Sequence, residues 1–261
     1  MSLRDILALY GPNRPHWEPS TYVRLRRSGV RRVVWRTDSD VVAPHQLHNL
    51  GVDVVAQAPD RFGDRAYTDP TNAVGDAWTV VSRTCWPGTP VVLDNEPQRR
   101  SDRAGQWYAE QYTRYLRAVH ARWRWIDHEG HYPLVTPGLA TGPDRNGRTW
   151  HQVGSENLLE AAGIGLHAYW EDSPSADAPE FGCPWELLPP AGDGKPLWIL
   201  EFGNTRRGFT HEDHLPEYER WLRRLPDTVQ LAALFLLDGT TDWPQYEISD
   251  RVLDWLANLR D

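Results

Sequence analysis

The sequence predicts an α/β fold, a single (β/α)8 barrel over residues 1–261. Three observations carry this. Eight short apolar runs rich in β-branched and aromatic residues recur along the chain, amphipathic helical stretches separate them, and the length of 261 residues suits one barrel of about 250 residues.

The strand candidates are Ile6–Gly11, Arg32–Thr37, Val52–Ala58, Pro90–Glu96, Tyr132–Leu139, Gly163–Trp170, Pro196–Gly203 and Gln230–Asp238. Stretches such as VDVVAQA and QLAALFLLD are almost continuously apolar. Strands buried on both faces read this way, and parallel sheets require such burial. Helix candidates lie between them. Ser20–Ser28 follows a Pro-Ser start, and Pro44–Leu50 opens on a proline suited to a first turn. Asp69–Ser82 and Ser101–Asp127 are longer, Ser155–Ala162 is short, and Cys183–Leu188 spans one or two turns at most. Thr210 is an N-cap with Asp213 three residues on, and Ser249–Leu259 closes the chain. A doubly wound open sheet is the competing architecture. It advertises itself by a Gly-rich phosphate turn, and neither GxGxxG nor GxxxxGK[ST] occurs here. The longest irregular stretch is Asp172–Gly194.

Composition excludes several classes. A net charge of -8 disfavours nucleic acid, which needs a basic footprint. No apolar run approaches the roughly 18 residues of a membrane span. Two cysteines, Cys85 and Cys183, are too few for a disulfide framework. As written, the N-terminus lacks a leader pattern, so a cytoplasmic location is the expectation, or a secreted one if a leader was removed. Fourteen tryptophans are many; most belong in a core, but aromatic faces also stack on sugar rings.

In this fold the working residues sit at the C-terminal ends of strands. There the sequence has Arg36 (strand 2), Asn95 and Glu96 (strand 4), His167, Tyr169 and Trp170 (strand 6), Glu201 (strand 7) and Asp238 (strand 8). Strands 4 and 7 face each other across such a barrel, so Glu96 and Glu201 can reach one substrate. Two opposed carboxyls suit glycosidic bond cleavage: one protonates the leaving oxygen, while the other attacks the anomeric carbon or activates water. His167 and Tyr169 are two apart and share a strand face. The tyrosine hydroxyl is suited to orienting Glu201, and the histidine to a sugar hydroxyl or to Glu96. Asn95 is suited to a sugar 2-hydroxyl, and Arg36 to pairing with Glu201.

This set resembles the clan A glycoside hydrolases, families 5 and 39 among them. Asn95-Glu96-Pro97 matches their strand 4 motif and His167-Ala168-Tyr169 their strand 6 motif. Glu201 in Trp198–Gly203 matches their nucleophile, and Arg36 their strand 2 arginine. The resemblance implies retaining hydrolysis of a β-linked oligo- or polysaccharide without metal or cofactor, Glu96 being acid/base and Glu201 nucleophile. The sequence departs from the clan at strand 8, where FLLDG lacks the usual tryptophan, and at strand 3, where QAPDRFGD has no histidine match.

Each residue has a plainer competing reading. Arg36 suits a local salt bridge, His167 and Tyr169 a satisfied core pair, Asp238 a turn. Trp170 and Trp243 are candidate sugar platforms, with core packing the alternative. The pairs His45/His48 and His211/His214 have the i,i+3 spacing of metal ligands but fall in helices on the barrel exterior, so no metal is expected. A Schiff-base aldolase needs a lysine at the mouth. The only lysine, Lys195, lies six residues before Glu201, about 20 Å away at the wrong end of the strand. A catalytically inactive carbohydrate-binding protein on the same scaffold is the rival of a different class, and the missing strand 8 tryptophan is the point in its favour.

Overall fold

The computed structural model describes residues 2–12, 14–58, 70–93, 109–138, 161–188, 194–237 and 246–259. Among them, eight parallel strands alternate with helices. The strands are β1 (Leu7–Tyr10), β2 (Arg32–Arg36), β3 (Asp53–Ala58), β4 (Val91–Leu93), β5 (Leu134–Val135), β6 (Ile164–Trp170), β7 (Leu197–Asn204) and β8 (Val229–Leu234). The helices are α1 (Leu3–Ile6), α2 (Pro19–Ser28), α3 (Ala43–Asn49), α4 (Pro70–Thr84), α5 (Ala109–Ile126), α6 (Ser173–Ala176), α7 (Leu215–Leu222) and α8 (Asp250–Asn258).

The strand order is β5-β4-β3-β2-β1-β8-β7-β6. Its two ends meet through a bridge between Val135 and Gly163. Around that bridge the Thr136 amide donates to the Gly163 carbonyl at 3.1 Å, and the Ala162 amide to Leu134 at 2.8 Å. Nearly closed in this way, the sheet is a (β/α)8 barrel. Glycine is required at the seam: a Cβ on Gly165 would lie 2.1 Å from the Thr136 carbonyl oxygen.

Two cores follow from strand alternation. Leu7, Leu9, Val33 and Trp35 point outward into the shell between strands and helices. Ala8, Tyr10, Val34, Val55, Val92 and Val135 point inward and fill the barrel. Helix ends follow local rules. Proline opens α2, and Gly29 ends it in the left-handed conformation (φ 68°) that a side chain would strain. Ser249 caps α8 by accepting from the Val252 amide.

Several boundaries differ from those expected. Pairing in β8 stops at Leu234. Beyond it the chain turns, Leu236 bonding to the Tyr246 carbonyl and Leu237 to that of Tyr10. Strand 5 is cut from Tyr132–Leu139 to two paired residues. The irregular stretch Asp172–Gly194 contains α6 and a 3-10 turn at Pro184–Leu187. Among the described residues, no helix is long and apolar enough to cross a membrane.

Candidate active site

Strict alternation would turn Glu201 away from the barrel. Trp198 and Leu200 pack on the inner core, so the next residue should face the helices. A bulge prevents this. The pairing of β7 with β6 skips Leu200, and that with β8 shifts between Ile199 and Phe202. Ile199 and Phe202 both stay in the outer shell, leaving Leu200 and Glu201 between them directed inward. Bulges re-aim side chains in this way beside active sites.

Glu201 is 5% exposed. The Tyr169 hydroxyl donates to its Oε2 at 2.8 Å. His167 Nδ1 lies 3.7 Å from the same oxygen, too far for a hydrogen bond but close enough for attraction whenever the ring is protonated. The His167 ring occupies space left by Gly138, whose Cβ would sit 2.2 Å from the imidazole. So the structure brings together Glu201, Tyr169 and His167.

The floor of the mouth is polar and buried. Tyr10, at the end of β1, donates its hydroxyl to the Gln57 side-chain oxygen at the end of β3. Burial raises the Tyr10 phenol well above its usual pKa, and the Glu201 charge adds to this; Arg36 acts in the opposite direction. Arg36 forms a two-point pair with Asp38, at 3.1 and 3.2 Å. Arg36 also lies beside the Tyr10 hydroxyl, so its guanidinium stays within the mouth while it pairs with Asp38.

Four aromatic rings frame the mouth. Phe235, just past β8, meets Tyr10 edge-on at 5.1 Å and Tyr169 at 6.3 Å. Tyr246 meets the same ring at 5.7 Å. Phe235 is half-buried and stands where strand 8 ends. Sequence reasoning missed it because the strand was drawn too long, to Asp238. Tyr10 and Gln57 were missed as well, although each is the last inward-facing residue of an apolar strand and carries a polar group. That signal is readable in VDVVAQA.

Trp170 requires a correction. It is 1% exposed and packs on Tyr218 and Trp221 in the outer shell, so no sugar can stack on it. It lies one residue past the inward-facing Tyr169 and therefore points to the helices. Its indole N–H is bound by Glu217. Asn95, Glu96, Asp238 and Trp243 lie outside the described residues.

Two polar hubs, one half-buried and one buried, brace the strand ends from behind. Glu217, on α7, also accepts from Ser173 at 2.7 Å and Asn204 at 2.9 Å. These donors hold its carboxyl below the usual range against the opposing effect of burial, which is the largest single influence. His211 is the second hub. Its Nε2 bonds to the Phe235 carbonyl, so that nitrogen carries the proton. Its Nδ1 then accepts from the Tyr218 hydroxyl at 2.8 Å, and the Tyr218 oxygen accepts from the Asn204 amide at 3.0 Å. Burial lowers the His211 pKa to about 4. This links the end of β7 to the end of β8.

The His211/His214 pair is thus buried structure rather than an exterior helix face, and occupies a 3-10 turn. The Thr210–Asp213 capping box is present, the Thr210 amide donating to Asp213 at 2.8 Å. Among the described residues, no group of three or more His, Cys, Asp or Glu could hold a metal. Lys195 donates to the Ala161 carbonyl at 2.8 Å, before β6 begins.

No protein-family model and no curated protein matches the chain. Solved structures do. The GH128 exo-β-1,3-glucanase of Aureobasidium namibiae superposes with TM-score 0.60 at 16% identity, over 96% of this chain and 92% of that one. A GH5 cellulase from an Icelandic hot spring isolate gives 0.61 at 11% identity, over 96% and 80%. A Bacillus subtilis mannanase gives 0.58 at 12%, over 97% and 85%. The structural neighbours are clan A glycoside hydrolases. At these identities the likeness is one of fold.

Proposed function

We propose that the chain is a retaining glycoside hydrolase acting on a β-linked glycan. The observation that carries this reading is the Glu201 carboxylate, turned into the barrel by a bulge and held by the Tyr169 hydroxyl at 2.8 Å. An inward-facing carboxylate positioned by a hydroxyl donor is suited to act as a nucleophile.

In this reading a Glu201 oxygen bonds to the anomeric carbon as the glycosidic C–O bond breaks. Glu96 delivers its proton to the leaving oxygen. A water oxygen then attacks the anomeric carbon, Glu96 takes the water's proton, and Glu201 is released as carboxylate. Tyr169 holds Glu201 in line, and the half-buried Phe235, backed by the buried rings of Tyr10 and Tyr246, is the aromatic face offered to the sugar beside it. The neighbours' names point to β-glucans and mannans as the first substrates to try.

The test is a hydrolysis screen over aryl β-glycosides and β-linked polysaccharides with wild type and Glu201→Ala. Wild-type turnover should fall by about 10⁴-fold in the variant, and azide should restore part of it as a glycosyl azide of inverted configuration. Undiminished turnover in Glu201→Ala overturns the assignment. A folded wild type that turns over nothing but binds glycans favours the inactive-binder reading.

A further inference from the structure

The opposite end of the barrel holds a cavity of about 700 Å³, within the range of about 300–1,000 Å³ typical of ligand pockets. It opens where β2, β3, β4 and β5 begin, and Trp198 and Val55 form its inner wall. Trp198 precedes Glu201 by three residues, so the two sites are about 10 Å apart along β7.

One wall is a tryptophan held out at the rim. Whereas Trp35, Trp170 and Trp221 are buried in the core, Trp86 is 37% exposed. Its position is nevertheless firm. The His48 ring stacks on it at 4.1 Å and 15°, and His45 meets it edge-on at 4.8 Å. Its loop is pinned at both sides: Cys85 donates to Val81 at 2.8 Å, Gly88 to His131 at 2.6 Å and Thr89 to Trp86 at 3.1 Å. A rigid aromatic platform binds with little loss of side-chain freedom.

The rest of the lining selects the ligand class. Among the described residues its charged side chains are one guanidinium, Arg32, and one carboxylate, Asp53, which are cross-strand partners. Arg32 is anchored on the Gln230 carbonyl, and Thr89 adds a hydroxyl. With no net charge, the lining does not select an anion or a cation. Paired donors and acceptors beside an aromatic face suit a molecule with hydroxyls at its edge and C–H groups on its face.

We propose that this cavity is a second binding site, for a neutral oligosaccharide, with Trp86 as its platform. The site is separate from the one around Glu201 and does not depend on hydrolysis. It would hold a polymer on the protein while the mouth works on another stretch.

Affinity electrophoresis of the full chain through gels containing laminarin, glucomannan or xylan tests this. Glu201→Gln is the parent, so that the polymer is not consumed, and polygalacturonate is the charged control. At least one neutral polymer should retard the parent. Trp86→Ala should weaken that retardation about tenfold, and His48→Ala, which keeps the indole but removes its support, by a smaller factor. Polygalacturonate should not retard the parent through Trp86. If Trp86→Ala does not fold, His48→Ala alone decides. No retardation by any neutral polymer overturns the proposal. So does retardation unchanged in the variants, or polygalacturonate retardation that Trp86→Ala abolishes. Aryl β-glycoside hydrolysis by Trp86→Ala with Glu201 intact reads the mouth separately, so failure of either site is distinguishable from failure of the other.

Discussion

The β2–β3 pair and the β6–β7 pair are built on opposite terms. β2 and β3 run in register through five consecutive residue pairs, Arg32↔Asp53 to Arg36↔Gln57, without a shift. Inward and outward side chains alternate as the sequence says they should. β6 and β7 pair over a longer span with a shift between Leu166 and His167. That shift turns a carboxylate inward which alternation would have sent to the helices. Regular pairing makes a wall, and irregular pairing places a charge. The irregular side lacks part of the regular ladder, and it is the side braced by Glu217, Tyr218, Trp221 and His211.

If that bracing is real, damage behind β6–β7 should cost far more than damage outside the regular half. Removal of the Trp221 ring should be the most destabilising change. It is 1% exposed, stacks on Phe202 at 4.8 Å and donates to the Gly182 carbonyl at 2.7 Å. Trp221→Ala should lower unfolding free energy by about 3–5 kcal/mol, read from urea denaturation.

The His211 hub should show itself through pH. Its folded pKa is about 4 against an ordinary 6.5, so between those values the unfolded chain binds the extra proton. Its contribution is fully present above pH 6.5 and is lost as pH falls toward 4, on the order of 3 kcal/mol in all. His214 is shifted the same way. Urea midpoints at pH 7.5, 6 and 5 should fall less steeply in His211→Gln than in wild type. Parallel slopes would remove His211 from the brace.

Tyr169→Phe sharpens the comparison at the site itself. A hydrogen bond to a charged group contributes about 1.5–3 kcal/mol. If Tyr169 holds Glu201 in line, kcat should fall about 10- to 150-fold while KM and thermal midpoint move little. A matching fall in thermal midpoint with unchanged kcat would make the pair structural.

The smallest effect belongs to the regular half. Arg27 on α2 pairs with Asp250 at 2.6 Å and Asp254 at 2.8 Å on α8, and all three are well exposed. Arg27→Ala should cost less than about 1 kcal/mol. A loss as large as that of Trp221→Ala would erase the contrast between the two halves.

Much of the fold was legible because burial on both faces leaves a mark in sequence. VVW in β2, VDVVAQA in β3 and LWILEFG in β7 each read as buried parallel strands, and each is one. Thr210 and Asp213 announced their capping box through spacing alone. His167 and Tyr169 were readable as one face because two residues separate them on a strand. Trp170 was misread because a large aromatic at a strand end looks the same whether it faces a sugar or a helix; only its facing decides, and that is set by the residue before it. Phe235 was hidden because nothing local in QLAALFLLD marks where pairing with β1 stops. His211 and Glu217 were unreadable as hubs, since their partners lie up to 47 residues away.

By itself, then, the sequence determined the alternation of strands and helices, the inward and outward faces of the regular strands, and the short-range caps, because burial pattern and local hydrogen bonding are written in neighbouring residues. The tertiary structure alone decided that Glu201 faces inward, that Trp170 does not, and that Tyr10, Gln57 and Phe235 share the mouth. Those outcomes depend on register between strands far apart in the chain, and register is a property of the closed barrel.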